Sequence, residues 1–238
     1  MAQFMGGQCL HTDIAIWHQG GSLTPLLILC SKESFAGSQG IDGILENLCH
    51  IIGGVKDVIN INKYMFTKEC FINFYKDSPD PLAIEKCYDA VYKSLLDMNI
   101  LTDLTLIGAL ATIRTEVGRN FKPIEEYADG SAYEGKKDLG NCLPGFGKLF
   151  KGRGYIQLTG FANYYNYGKS LGIDLVCHPE LALTIENSAK ILALYFRNRG
   201  CNTACDSKNW TQVRKLVNGG TNGLDVFLRV VNDYSNKL

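Results

Sequence analysis

Neither sign of charge is in excess in this sequence, since 24 Lys and Arg stand against 24 Asp and Glu. Bulk attraction toward nucleic acid or an anionic membrane is therefore disfavoured, so no nucleic-acid partner is expected, although a local basic patch stays open. Long hydrophobic runs are missing too. The run LLILC at 26–30 follows a proline and is too short to cross a bilayer, so a buried strand is expected there and no stable membrane insertion. No basic region precedes an apolar one at the amino terminus, so no secretion signal is expected there, and the cellular destination is not readable. The nine cysteines lack paired C-x2-C spacing and His11, His18, His50 and His178 form no ligand pattern, which excludes an evident metal site. Most of these cysteines read as small buried side chains, with Cys201 and Cys205 the best disulfide candidates if the environment is oxidising.

What is present has the composition of a globular protein, 46% hydrophobic and 20% charged over 238 residues. The segment DSPDP at 77–81 breaks the chain, because two closely spaced prolines exclude a continuing helix. A domain boundary is expected here, between a region 1–78 of uncertain α/β type and unread function and a mainly helical domain over 79–238. Asp80 can cap and Pro81 can open a helix whose apolar face holds Ile84, Cys87, Tyr88, Val91 and Leu95. A second helix is expected from Asp103 to Gly118, and others near 160–171, 187–199, 210–217 and 224–235. Between 121 and 152 the chain loses helical periodicity and reads as a long ordered loop or small hairpin.

The chemistry concentrates between 116 and 159. In TEVGRNFKPIEE, Glu116 and Glu125 stand nine positions apart, with Glu126 the rival for the second place and Asp129, Glu134 and Asp138 ranked lower. Cleaving a glycosidic bond needs one carboxyl group to protonate the leaving oxygen and a second to activate water or attack the sugar. Glu116 falls at a helix carboxyl end after an apolar stretch, where its proton should be held more tightly, as a general acid requires. Downstream, KGRGYIQLTG at 151–160 carries only part of a dinucleotide fingerprint, with Gln157 in place of the third glycine. Its alternation suits a short strand placing Tyr155, Gln157 and Thr159 on one face, where amides and hydroxyls match sugar hydroxyls; the same face equally suits a buried strand. Asn163, Tyr164, Tyr165, Asn166 and Tyr167 interleave amides and aromatics on a helix, as core plus rim or as a ligand groove. Asn218 lies in the turn VNGG at 217–220, either a helix cap or a side chain facing a cleft.

These blocks, with SAYEGKKDLGN, PGFG, HPELAL and VRKLVNGG, make the chain resemble the family 19 glycoside hydrolases, the lysozyme-like group of chitinases and endolysins, over roughly 82–235. The resemblance implies a helix-rich lysozyme-like fold with a small β element. It implies Glu116 as general acid, Glu125 as the base of an inverting displacement, and Gln157, Thr159, Asn163 and Asn218 along the sugar cleft. The expected substrate is a β-1,4-linked, N-acetylglucosamine-containing polysaccharide, with peptidoglycan slightly ahead of chitin, acted on by a monomer without cofactor. Inverting chemistry would hold the carboxyl groups roughly 6.5–9.5 Å apart. The family commonly has His before its acid, where this chain has Thr115, and a small Gly-Gly stretch after it, where this chain has Val117, Gly118 and Arg119. A catalytically silent glycan-binding protein using the same groove is the alternative.

Overall fold

The computed structural model describes residues 66–237. The run at 26–30, the cysteines Cys9, Cys30 and Cys49, and His11, His18 and His50 lie outside them. Helix α1 (Lys68–Phe74) starts where Thr67 accepts a hydrogen bond from the Cys70 N–H. Helix α2 (Pro81–Asp97) starts where Asp80 accepts from Ala83, with Pro81 in the first turn, where its missing N–H costs nothing. The DSPDP segment thus links two helices, and α1 contributes Phe71 to the same core as Ile84, Val91 and Leu95 of α2.

Helix α3 (Asp103–Val117) is capped by Thr102 and is buried without interruption from Thr105 to Ile113. A helix apolar on all sides belongs at the centre of a domain, and this one lies between α2, the later helices and the carboxyl-terminal helix. The loop region holds strand β1 (Ile124–Glu125), 3-10 turns at Ser131–Tyr133 and Lys137–Leu139, helix α4 (Phe146–Leu149) and strand β2 (Arg153–Gly154). The two strands pair antiparallel, Ile124 with Gly154 and Glu125 with Arg153.

Helix α5 (Phe161–Leu171) follows, then a 3-10 turn at Pro179–Leu183 and helices α6 (Ile185–Arg199), α7 (Cys201–Asp206), α8 (Trp210–Asn218) and α9 (Leu224–Ser235). Gly172, Gly200 and Gly219 close α5, α6 and α8 in left-handed conformations, as glycine C-caps do. Helix α6 packs along α2, and α7 and α9 pack on α3. A smaller core of Phe150, Leu158, Tyr164, Leu175, Ala182 and Ile191 lies beneath the β1–β2 region. Cys201 and Cys205 are free and buried in α7, where burial pushes the Cys201 thiol up to about 12. Among the described residues no helix is long and apolar enough to cross a membrane.

Candidate active site

Two clusters form around the two carboxylates. The first sits where α3 ends. Gly118 has φ +82° and ψ −161°, a conformation open essentially to glycine alone, and it swings the chain away from the core one turn after the last fully buried residue. Glu116 in that last turn keeps 23% of its side chain exposed. Arg214 of α8, only 3% exposed, donates from Nη1 to Glu116 Oε1 at 2.5 Å. The same guanidinium donates from Nε and Nη2 to the Asn222 carbonyl at 3.2 and 2.6 Å, and Asn218 Nδ2 donates to that carbonyl at 2.9 Å. Asn218 is thereby tied to the Glu116 cluster. Thr115 turns its hydroxyl back to the Ala111 carbonyl at 2.8 Å, a bond within the helix that leaves the acid untouched.

The second cluster sits on the β1–β2 ribbon. Cross-strand pairing sets Glu125 opposite Arg153, whose Nε donates to Oε2 at 2.7 Å, while Lys151 Nζ lies 2.7 Å from Oε1. The Lys151 bond, with Arg153 adding to it against a burial cost, holds the Glu125 carboxyl below the usual carboxylate range. Arg153 is itself fixed by the Leu149 carbonyl at 2.8 Å and the Tyr164 hydroxyl at 3.0 Å. Glu126 faces another set of partners, accepting from the Tyr133 hydroxyl at 2.9 Å and the Gly152 N–H at 3.2 Å. A side chain on residue 152 would meet Gln157 Oε1 at 2.8 Å, Glu126 Oε2 at 3.2 Å and Thr159 Oγ1 at 3.3 Å, so only glycine lets these three polar groups converge.

The expected strand across 155–159 is not formed. Strand β2 stops at Gly154 and the chain turns through Gln157, whose φ of +53° is left-handed, before Leu158 bridges back to Arg153. The turn is held by the Gln157 amide, which donates to the Ile124 and Gly154 carbonyls at 3.1 Å each. Thr159 donates to the Gln157 carbonyl at 2.8 Å, and Asn163 to the Thr159 carbonyl at 2.7 Å. Gln157, Thr159 and the exposed Asn163 therefore form one polar chain beside Glu126. Tyr155 and Tyr164 do not join it, since both are wholly buried and offer no face to a sugar. Tyr155 donates to the Phe121 carbonyl at 2.9 Å, fixing the loop between Glu116 and Glu125, and Tyr164 donates to the Lys151 carbonyl at 2.8 Å. Two of the three lower-ranked acids serve the loop: Glu134 accepts from the Gly145 and Gly147 N–H groups and Asp129 from the Ser131 N–H.

Arg214, Lys151 and Arg153 escaped the sequence reading. On an amphipathic helix an arginine beside Lys215 reads as a solvated charge, and only the tertiary pairing reveals its burial. Among the described residues no group of His, Cys, Asp and Glu is placed to hold a metal ion.

No family model matches the chain. A stretch of 94 residues, 39% of this chain, is 33% identical to a glycosyl hydrolase family 19 domain-containing protein of Haemophilus influenzae and covers 44% of it. Another of 82 residues, 34% of this chain, is 34% identical to an endochitinase of Arabidopsis thaliana and covers 28% of it. The matched stretches span less than half the length of either curated relative. Among solved structures, chitinase C from Streptomyces griseus superposes with a TM-score of 0.56 at 17% identity, over 73% of this chain and 76% of that one. That likeness carries the fold, which is mainly α and lysozyme-like.

Proposed function

We propose that the chain is a family 19 glycoside hydrolase, a reading that those matches and its fold support, and that it hydrolyses β-1,4 bonds in N-acetylglucosamine-containing polysaccharide. Glu116 protonates the leaving oxygen and Glu125 activates the attacking water. The observation that carries the reading is the asymmetric state of Glu116: Arg214 grips Oε1, while Oε2 has no hydrogen-bond partner among the described residues. One oxygen sets the orientation of the carboxyl group and the other is left to carry a proton to substrate.

Glu125 supports the second role in a different way. Both its oxygens face cations, which keeps it ionised, and a carboxylate oxygen retains a lone pair for a water while accepting from Lys151 or Arg153. Glu126 is the weaker candidate, since its oxygens accept from neutral donors, the Tyr133 hydroxyl and the Gly152 N–H, where those of Glu125 meet cations. Gln157, Thr159, Asn163 and Asn218 supply amides and hydroxyls for sugar hydroxyl and acetamido groups. The named relatives make chitin the first substrate to try, with peptidoglycan beside it.

The test is mass spectrometry of products from chitin oligomers and from peptidoglycan, with wild type and Glu116→Gln. Loss of product in the variant, with folding intact by circular dichroism, supports the assignment; undiminished hydrolysis rejects it. Proton NMR of the first products should show the α-anomer, the signature of inversion at a β bond.

A further inference from the structure

A cavity of about 180 Å³ is lined by no residue of either carboxylate cluster, and three arginines reach it from separate segments. Arg114 comes from α3, Arg119 from the loop after it and Arg229 from α9, with Asp233 the single acid in the lining. Three guanidiniums against one carboxylate leave two positive charges in a chain whose formal net charge is zero. Among the described residues none of the three arginines has an ion-pair partner, whereas Arg153 and Arg214 each hold a glutamate. Arg114 and Glu116 are two residues apart on one helix, so they project about 200° apart and the cavity belongs to the opposite side of α3 from the Glu116 cluster.

The lining also offers a neutral donor. Tyr75 and Tyr234 are buried and hydrogen-bonded to each other through their hydroxyls. In such a pair one O–H is spent on the other oxygen and the second remains to donate. Arg119 lies over the Tyr75 ring with its carbon 5.5 Å from the centroid, which holds that guanidinium at the cavity.

We propose that this cavity is a binding site for a phosphate-type dianion, free or carried on a sugar. Two net charges match a dianion, guanidinium forks match its tetrahedral oxygens in pairs, and the tyrosine hydroxyl supplies a further donor. A monocarboxylate would leave one charge uncompensated. The site is independent of the hydrolase reading and stands or falls separately from it.

Isothermal titration of the full chain with inorganic phosphate and with N-acetylglucosamine 6-phosphate, at ionic strength held constant with chloride, tests the proposal. Saturable binding is expected, weakened roughly tenfold or more by Arg119→Gln or Arg229→Gln, both exposed positions where the fold should survive, and unchanged by Arg197→Gln, an exposed arginine of α6 outside the cavity lining. Binding of both probes supports a sugar-borne group as ligand, and binding of inorganic phosphate alone supports the free anion. No saturable response beyond chloride, or equal weakening by Arg197→Gln, overturns the site.

Discussion

Arg214 and Glu116, 98 positions apart in sequence, are joined by a 2.5 Å hydrogen bond between a buried guanidinium and a partly exposed carboxylate. Because the same guanidinium also holds the Asn222 carbonyl, it couples the acid to the turn carrying Asn218. A lysine can serve one of these acceptors and lacks the planar fork to serve both. Arg214→Lys is therefore expected to lower kcat with little change in KM, and Arg214→Gln to lower it further. The glutamine variant should also lose about 2–3 kcal/mol of stability, below the range for fully buried pairs because Glu116 keeps some solvent. Steady-state kinetics and urea unfolding of the same preparations separate the two effects.

Glu125 gives a prediction about pH. Its folded pKa lies below the ordinary value near 4.5, first because of Lys151 and then Arg153. A depressed carboxyl pKa contributes stability that is complete above the unfolded value and is lost as pH falls through the folded one. The stability difference between wild type and Glu125→Gln should thus be constant above about pH 5 and shrink in more acid solution. With 39% of the side chain exposed the effect is screened, and added salt should reduce it. Lys151→Met removes the leading cause, so the acid limb of kcat/KM against pH should move to higher pH; an unmoved limb would assign that limb to another group.

Legibility of the sequence followed the range of the forces involved. Helix α3 was readable because apolar periodicity and end signals are local: Asp103 marks its start and Gly118 its end, and the structure adds Thr102 as the cap. Helices α5, α6, α8 and α9 fell within a residue or two of their expected limits for the same reason. The strand reading across 155–159 failed because alternation alone does not reveal a left-handed Gln157, which the Ile124 and Gly154 carbonyls stabilise from outside the segment. Tyr155 and Tyr164 read as sugar-facing because an aromatic with a hydroxyl suits a groove and a core alike. The cations on Glu116 and Glu125 were beyond reach, since Arg214 comes through α8, Arg153 through strand pairing and Lys151 from the segment just before β2.

The Tyr155 hydroxyl holds the loop that connects the two carboxylates. Burial pushes this phenol well above its ordinary pKa, so it stays protonated and donates to the Phe121 carbonyl. Phe121 has a left-handed φ of +50°, unusual for a non-glycine, and the bond helps keep it there. Tyr155→Phe leaves that buried carbonyl without this donor, at an expected cost of about 1–3 kcal/mol. The urea midpoint should fall with the m-value unchanged, and turnover should fall with it under conditions where the variant is fully folded.

Close packing of α7 on α3 depends on Gly108. A methyl group there would strike the Cys205 sulfur and come within 3.3 Å of the Trp210 ring. Gly108→Ala should therefore destabilise by about 1–3 kcal/mol through overpacking, despite alanine's better helix propensity. Cys205→Ala removes the atom in the way, so the double variant should be more stable than the two single effects added, a coupling a thermodynamic cycle measures directly. Burial also pushes the Cys205 thiol up, so in the native protein iodoacetamide should reach the exposed Cys142 and Cys177 well before it. In Gly108→Ala the displaced helix should admit the reagent, and peptide mapping should show Cys205 modified earlier than in wild type. Equal protection of Cys205 in both proteins, with no loss of stability, would mean that α7 does not rest on Gly108.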